Sequence, residues 1–154
     1  MDTKVLKTFG IFLVLFIILI VGLVIHDNMT KIVILKEDHI SDVTFLDNKK
    51  NIYIFWGNGC SHCEELKEYL LSIKNKWQND YQIFSFETWK DKENQNLMND
   101  VLEILGKKNE GTPTVIIGDK VLVGYGTDMN SEYEEAFNSQ KNNEYDVIKK
   151  YQEQ

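Results

Sequence analysis

The stretch Trp56-Gly57-Asn58-Gly59-Cys60-Ser61-His62-Cys63 constrains this chain more than any other. It holds both cysteines of the protein, spaced C-x-x-C. An apolar run, Ile52 to Trp56, comes directly before it, and an amphipathic run comes directly after. That context predicts a strand that delivers Cys60 to the mouth of a helix, with Cys63 in the first helical turn. A thiol in that place faces unpaired backbone N–H groups and the positive end of the helix dipole. Both favour the thiolate, which is the reactive form. Cys60 is therefore the expected nucleophile and Cys63 the resolving partner.

Two cysteines alone do not make a zinc site, which wants about four ligands. His26 and His39 lie far from the pair in sequence, so a redox dithiol is favoured over a metal module, and no metal or other cofactor is expected. The net charge of −7 argues against nucleic acid and against an anionic lipid surface as partners. All 17 basic side chains are lysines, so bidentate guanidinium clamping of phosphate or carboxylate is ruled out.

The N-terminus carries a second strong signal. Residues 1–8 form a short tail with Lys4 and Lys7, and Phe9 to Ile25 then runs apolar without a charge. About 17 residues is the lower limit for a membrane-spanning helix. A core helix is disfavoured, because the run is apolar on every face. A cleaved signal peptide has a shorter apolar region and a small-residue cleavage site; Ile25-His26-Asp27-Asn28-Met29 has no such pair. The reading is an uncleaved transmembrane signal anchor over 9–25, followed by a linker over 26–30. Lysines near the two ends tie, Lys4 and Lys7 against Lys31 and Lys36. The α-amino group tips the N-terminus to the cytoplasm and puts the rest of the chain outside it.

Periodicity supplies the remaining elements. Lys31 to Leu35 reads as a first strand and Ile40 to Leu46 as a short helix. Asn48 to Asn51 reads as a polar turn, and Ile52 to Trp56 as a strand covered on both faces. Cys63, Leu66, Leu70, Ile73 and Trp77 mark one helical face. Tyr81 to Phe86 reads as a strand, and Leu97, Val101 and Ile104 as a helix closed by Gly106. Thr114 to Ile117 and Val121 to Val123 flank Gly118-Asp119, a hairpin signature. Ser131-x-x-Glu134 reads as a capping box opening a helix through Tyr133, Ala136 and Phe137. Residues 141–154 read as a polar tail, in which Tyr145, Ile148 and Tyr151 extend a frayed helix.

The order β-α-β-α-β-α-β-β-α, with C-x-x-C between the second strand and second helix, resembles the thioredoxin superfamily over residues 31–140. The residues that carry the resemblance are Phe55-Trp56-Gly57-Asn58-Gly59-Cys60-Ser61-His62-Cys63 and Gly111-Thr112-Pro113-Thr114. It implies a thioredoxin fold, an α/β arrangement with a central mixed β-sheet flanked by helices, here preceded by the N-terminal transmembrane helix. It also implies that Pro113, the only proline of the chain, is cis and packs against the dithiol. Thr112 would pair its backbone with an extended substrate, a recognition largely indifferent to side chains. Trp56 is expected as either a core aromatic or a partly exposed platform, and Gly124-Tyr125-Gly126 as a further loop near the thiols.

The C-x-H-C form of the motif looks like the disulfide-forming members of the superfamily. His62 either stabilises the Cys60 thiolate or is a tolerated loop residue; the first role would make the disulfide a stronger oxidant. The sequence departs from the family in three ways, one being the absence of the proline that kinks the active-site helix in many members. Ile54 stands where many members carry a buried acid, six residues ahead of the first cysteine, so Glu64, Glu65 or Glu87 would have to substitute. The large helical insertion of the Dsb oxidases is also lacking. The expected activity is thiol–disulfide exchange with exported proteins that carry thiols or disulfides, in the oxidising direction, with a membrane redox partner to reset the dithiol. A specialised reductant for cytochrome c maturation or bacteriocin export is the competing enzymatic reading, and a scaffold with an inert disulfide is a further one.

Overall fold

The computed structural model describes residues 12–20 and 32–154. The chain divides into two units, Met1–Val33 and Ile34–Gln154. In the first, residues 12–20 form helix α1, with every side chain from Phe12 to Ile20 exposed. The rest of the expected anchor, the tail over 1–8 and the linker over 26–30 lie outside the described residues. Among the described residues no helix is long and apolar enough to cross a membrane.

The second unit is built on strands β1 (Lys50–Trp56), β2 (Tyr81–Glu87), β3 (Thr114–Ile117) and β4 (Lys120–Val123). They form one four-stranded mixed sheet in the order β2-β1-β3-β4. β1 runs parallel to β2 and antiparallel to β3, so Ile54 faces Ser85 on one side and Val115 on the other. The central position explains the composition of β1. Every residue from Asn51 to Trp56 is buried, as a strand covered on both faces requires. β3 and β4 make the expected hairpin, with Gly118 at φ 58° in the two-residue turn between Ile117 and Lys120.

The helices are α2 (Ser61–Ser72), α3 (Lys74–Trp77), α4 (Lys92–Ile104), α5 (Asn130–Gln140) and α6 (Val147–Gln152). Alternation along the strands sorts the core into two layers. Tyr53, Phe55, Phe84, Phe86 and Ile116 meet Leu97, Met98, Val101 and Leu102 of α4 and Val147 and Ile148 of α6. On the other face Tyr81 meets Phe137 of α5 edge-on. α2 joins α5 through Tyr69 and Tyr133, with Tyr125 stacked on Tyr69. Each fully buried aliphatic or aromatic side chain in these layers is worth about 1.5–3 kcal/mol against leaving it in water. Gly106, at φ 65°, ends α4 as expected: the N–H of Lys107 donates to Leu102 and that of Gly106 to Glu103.

Four local expectations are corrected. Lys31 to Leu35 forms no strand over its described part. The chain that follows it lies along the outer edge of β2 through two side-chain contacts and one backbone bond instead. Lys36 N–H donates to Ser85 Oγ at 2.5 Å, Ser85 N–H donates to Asp38 Oδ2 at 2.9 Å, and Asp38 N–H donates to Ser85 O at 3.0 Å. A carboxylate occupying a strand N–H stops a backbone ladder from forming there. Ile40 to Leu46 yields only a 3-10 turn, Ile40–Asp42, closed by Asp42 accepting from His39 N–H. The face from Cys63 to Trp77 is broken at Ile73, whose ψ of 15° separates α2 from α3. Ser131 caps nothing, because α5 already starts at Asn130 off a 3-10 turn over Thr127–Met129.

The C-terminal residues are also more than a polar tail. Asp146 caps α6 by accepting from Ile148 and Lys149 N–H, and it accepts from the Tyr53 hydroxyl at 2.8 Å. Val147 and Ile148 are then fully buried against α4. The phenol of Tyr53 titrates well above its ordinary value, through burial first and the adjacent Asp146 charge second.

Candidate redox site

Cys60 and Cys63 form a disulfide, with Cα atoms 5.3 Å apart. The local sequence explains its place. Gly57-Asn58-Gly59 turns the chain out of β1, with Gly59 at φ 91° and Cys60 N–H donating back to Gly57 O at 3.0 Å. Cys60 then sits at the N-cap of α2 in an extended conformation, and its Sγ accepts from Cys63 N–H at 3.2 Å. Once the bond is reduced, this sulfur is the one that a helix N-terminus stabilises as thiolate. Cys63, one turn in, is completely buried, whereas Cys60 retains 6% exposure. Access and electrostatics therefore select the same sulfur.

The second half of the site comes from the other end of the domain. The Thr112–Pro113 peptide bond is cis. Cys60 Sγ lies 3.7 Å from Thr112 O and 3.8 Å from Thr112 Oγ1. Pro113 itself is buried, while Thr112 is half-buried and Gly111 exposed. Among the described residues the Thr112 N–H has no protein acceptor. The Gly124 N–H donates to Pro113 O at 2.7 Å, which ties the Gly124-Tyr125-Gly126 loop to the proline. Tyr125 is held there by its stack on Tyr69 and by its hydroxyl on Asn130 Oδ1. Burial, and then the nearby Glu65 charge, raise its phenol pKa.

Other expected residues fall differently. His62 is 63% exposed on its side chain, and its Nδ1 lies 3.8 Å from Glu65 Oε2. Trp56 is buried, with its indole N–H donating to Lys36 O at 2.9 Å, which makes it a core aromatic and not an exposed platform. Ile54 is fully buried within β1. None of the three acids considered as its substitute bonds to either sulfur: Glu64 pairs with Lys67, Glu65 with His62, and Glu87 with backbone N–H groups. Among the described residues no three His, Cys, Asp or Glu side chains cluster as metal ligands.

Sequence reasoning missed the full role of Glu87. It ends β2 opposite Trp56 and is buried. Oε1 accepts from Asn58 N–H at 3.0 Å and Trp89 N–H at 3.2 Å. Oε2 accepts from Lys90 N–H at 2.8 Å and Asp91 N–H at 3.2 Å. One carboxylate thus joins the loop that carries the disulfide to the loop that opens α4. Burial pushes its pKa up, but the four N–H donors outweigh burial and hold it below the ordinary 4.5. A strand ending in an acid just before a tight polar turn was the available signal.

No protein-family model matches the chain, and no curated protein matches it. The mixed four-stranded sheet, its flanking helices and the C-x-x-C disulfide at the start of α2 are compatible with a thioredoxin-like protein and with thiol–disulfide chemistry.

Proposed function

We propose that this protein is a membrane-anchored thiol–disulfide oxidoreductase that oxidises exported proteins through Cys60 and Cys63. The observation that carries the reading is a single one: a disulfide caps α2 within 3.7 Å of the loop holding a cis proline. A substrate thiolate attacks Cys60 Sγ, the Cys60–Cys63 bond breaks, and Cys63 leaves as a thiolate that takes up a proton. A second substrate thiolate then attacks the substrate sulfur of the mixed disulfide, and Cys60 leaves. The substrate loses two electrons to become a disulfide, and the protein gains them as a dithiol. A disulfide-bearing partner in the membrane resets the dithiol by the same exchange.

The half-buried Thr112, with its N–H free of protein acceptors, is suited to pair with an extended substrate chain beside Cys60. The exposed apolar side chains of α1 support the anchor, and the tally of positive charges at its two ends favours a catalytic domain on the outer side of the cell membrane. A mature N-terminus near residue 26 would remove the anchor from this reading.

The test is trapping. Cys63→Ser should accumulate mixed disulfides with exported proteins, because Cys60 attacks and nothing resolves. Cys60→Ser should accumulate few. The reading is lost if neither variant traps protein and the wild-type pair fails to equilibrate with glutathione. A measured potential near that of a reducing thioredoxin would reverse the direction.

A further inference from the structure

The three tryptophans divide sharply. Trp56 and Trp77 are buried and donate their indole N–H to Lys36 O and Leu70 O. Trp89 is 58% exposed, the most exposed large apolar side chain described in the Ile34–Gln154 unit. Among the described residues its indole N–H has no internal acceptor. An indole is a large apolar surface, and leaving it in water forgoes stabilisation that the other two obtain.

Its position is nonetheless defined. The ring lies over Gly57, where Cδ2, Cε2 and Nε1 fill the space that a Cβ at that residue would take. The absence of a side chain at Gly57 is what lets the ring approach the loop. The Trp89 backbone is pinned as well. Its N–H donates to Glu87 Oε1, the same oxygen that accepts from Asn58 in the disulfide loop. Thr88, just before it, donates both N–H and Oγ1 to Trp56 O. Gly57 in turn accepts from Cys60 N–H. An exposed indole is therefore held at a fixed place beside the loop that presents the reactive disulfide.

We propose that Trp89 is a specificity-determining residue: its free ring face receives an apolar side chain of the substrate polypeptide next to the reacting cysteine. This rests on the thiol–disulfide reading above. Backbone pairing at Thr112 is indifferent to sequence, so Trp89 supplies the side-chain preference that such pairing lacks. Covering the ring with an apolar group removes both surfaces from water, which favours that occupant over a polar one.

The experiment uses the full chain in nonionic detergent, in its disulfide form, with two peptides. Each carries two cysteines, and they differ only in Phe or Ser beside the first. The rate constant for peptide oxidation is measured for each, together with equilibration against glutathione. Wild type should oxidise the Phe peptide about fivefold faster, the size of one aromatic contact at a wet surface. Trp89→Ala should bring the ratio to one, and Trp89→Phe should keep most of it. Phe45→Ala, at another partly exposed aromatic, should leave the ratio as in wild type. Equal rates for the two peptides in wild type, or an unchanged ratio in Trp89→Ala, overturn the proposal while the thiol–disulfide reading stands. Failure of wild type to exchange with glutathione and with both peptides overturns that reading itself.

Discussion

Replacing Glu87 by Gln tests how the disulfide loop is held. The carboxylate accepts four backbone N–H groups, two on each oxygen. The amide keeps one acceptor oxygen and presents an NH2 group to the other two donors. Two charge-assisted bonds are then lost, each worth about 1.5–3 kcal/mol. Solvent reaching the stranded N–H groups recovers part of this, so the expected loss is about 3 kcal/mol at neutral pH. For a domain of this size that lowers the melting temperature by roughly 10 °C. The pH dependence carries the sharper test. Glu87 titrates below its ordinary 4.5 in the folded protein, because the four donors favour the charged form. A depressed folded pKa stabilises the protein above the unfolded value, and that stability is lost as pH falls through the folded value. The gap between wild type and Glu87→Gln should thus be full above about pH 5 and shrink steadily towards pH 2. The assay is thermal melting of both full-length proteins, followed by circular dichroism across that range. Equal melting at pH 7, or a gap that does not change with pH, would refute the clamp.

Two further outcomes are expected. Ile148→Ala removes a side chain that is fully buried between α6 and α4, and should cost about 2–5 kcal/mol in a urea titration; a loss below 0.5 would show that α6 is a dispensable tail. His62→Ala should move the potential of the Cys60–Cys63 couple by less than about 30 mV in glutathione equilibration, the equivalent of one pKa unit. Its exposure and its pairing with Glu65 dilute any field at the sulfur, and a larger shift would show that it stabilises the thiolate.

Much of the framework is legible in the sequence. The unbroken apolar run Ile52 to Trp56 reads as a strand covered on both faces, and it is an inner strand of the sheet. The spacing of Leu66 and Leu70 placed α2, Gly106 ended α4, and Gly118-Asp119 turned the hairpin. These are short-range signals, set by side-chain periodicity and by backbone freedom at single residues. The pairing of Thr112–Pro113 with the disulfide was reached only by resemblance, since nothing local links residues so far apart in sequence.

What the tertiary structure alone decided is which neighbour meets each group. Residues 31–35 have the composition of a strand, yet the Asp38 carboxylate takes the Ser85 N–H at the edge of β2 and no ladder forms. Val147 and Ile148 sit in a polar segment and become core because Asp146 reaches Tyr53. Trp56 and Trp89 are the same residue type on either side of the motif; Lys36 O takes the indole N–H of the first, and the missing side chain at Gly57 admits the ring of the second. A sequence states the chemistry that each residue offers. Burial, and with it the worth of every hydrogen bond and charge, depends on long-range contacts that only the folded chain brings together.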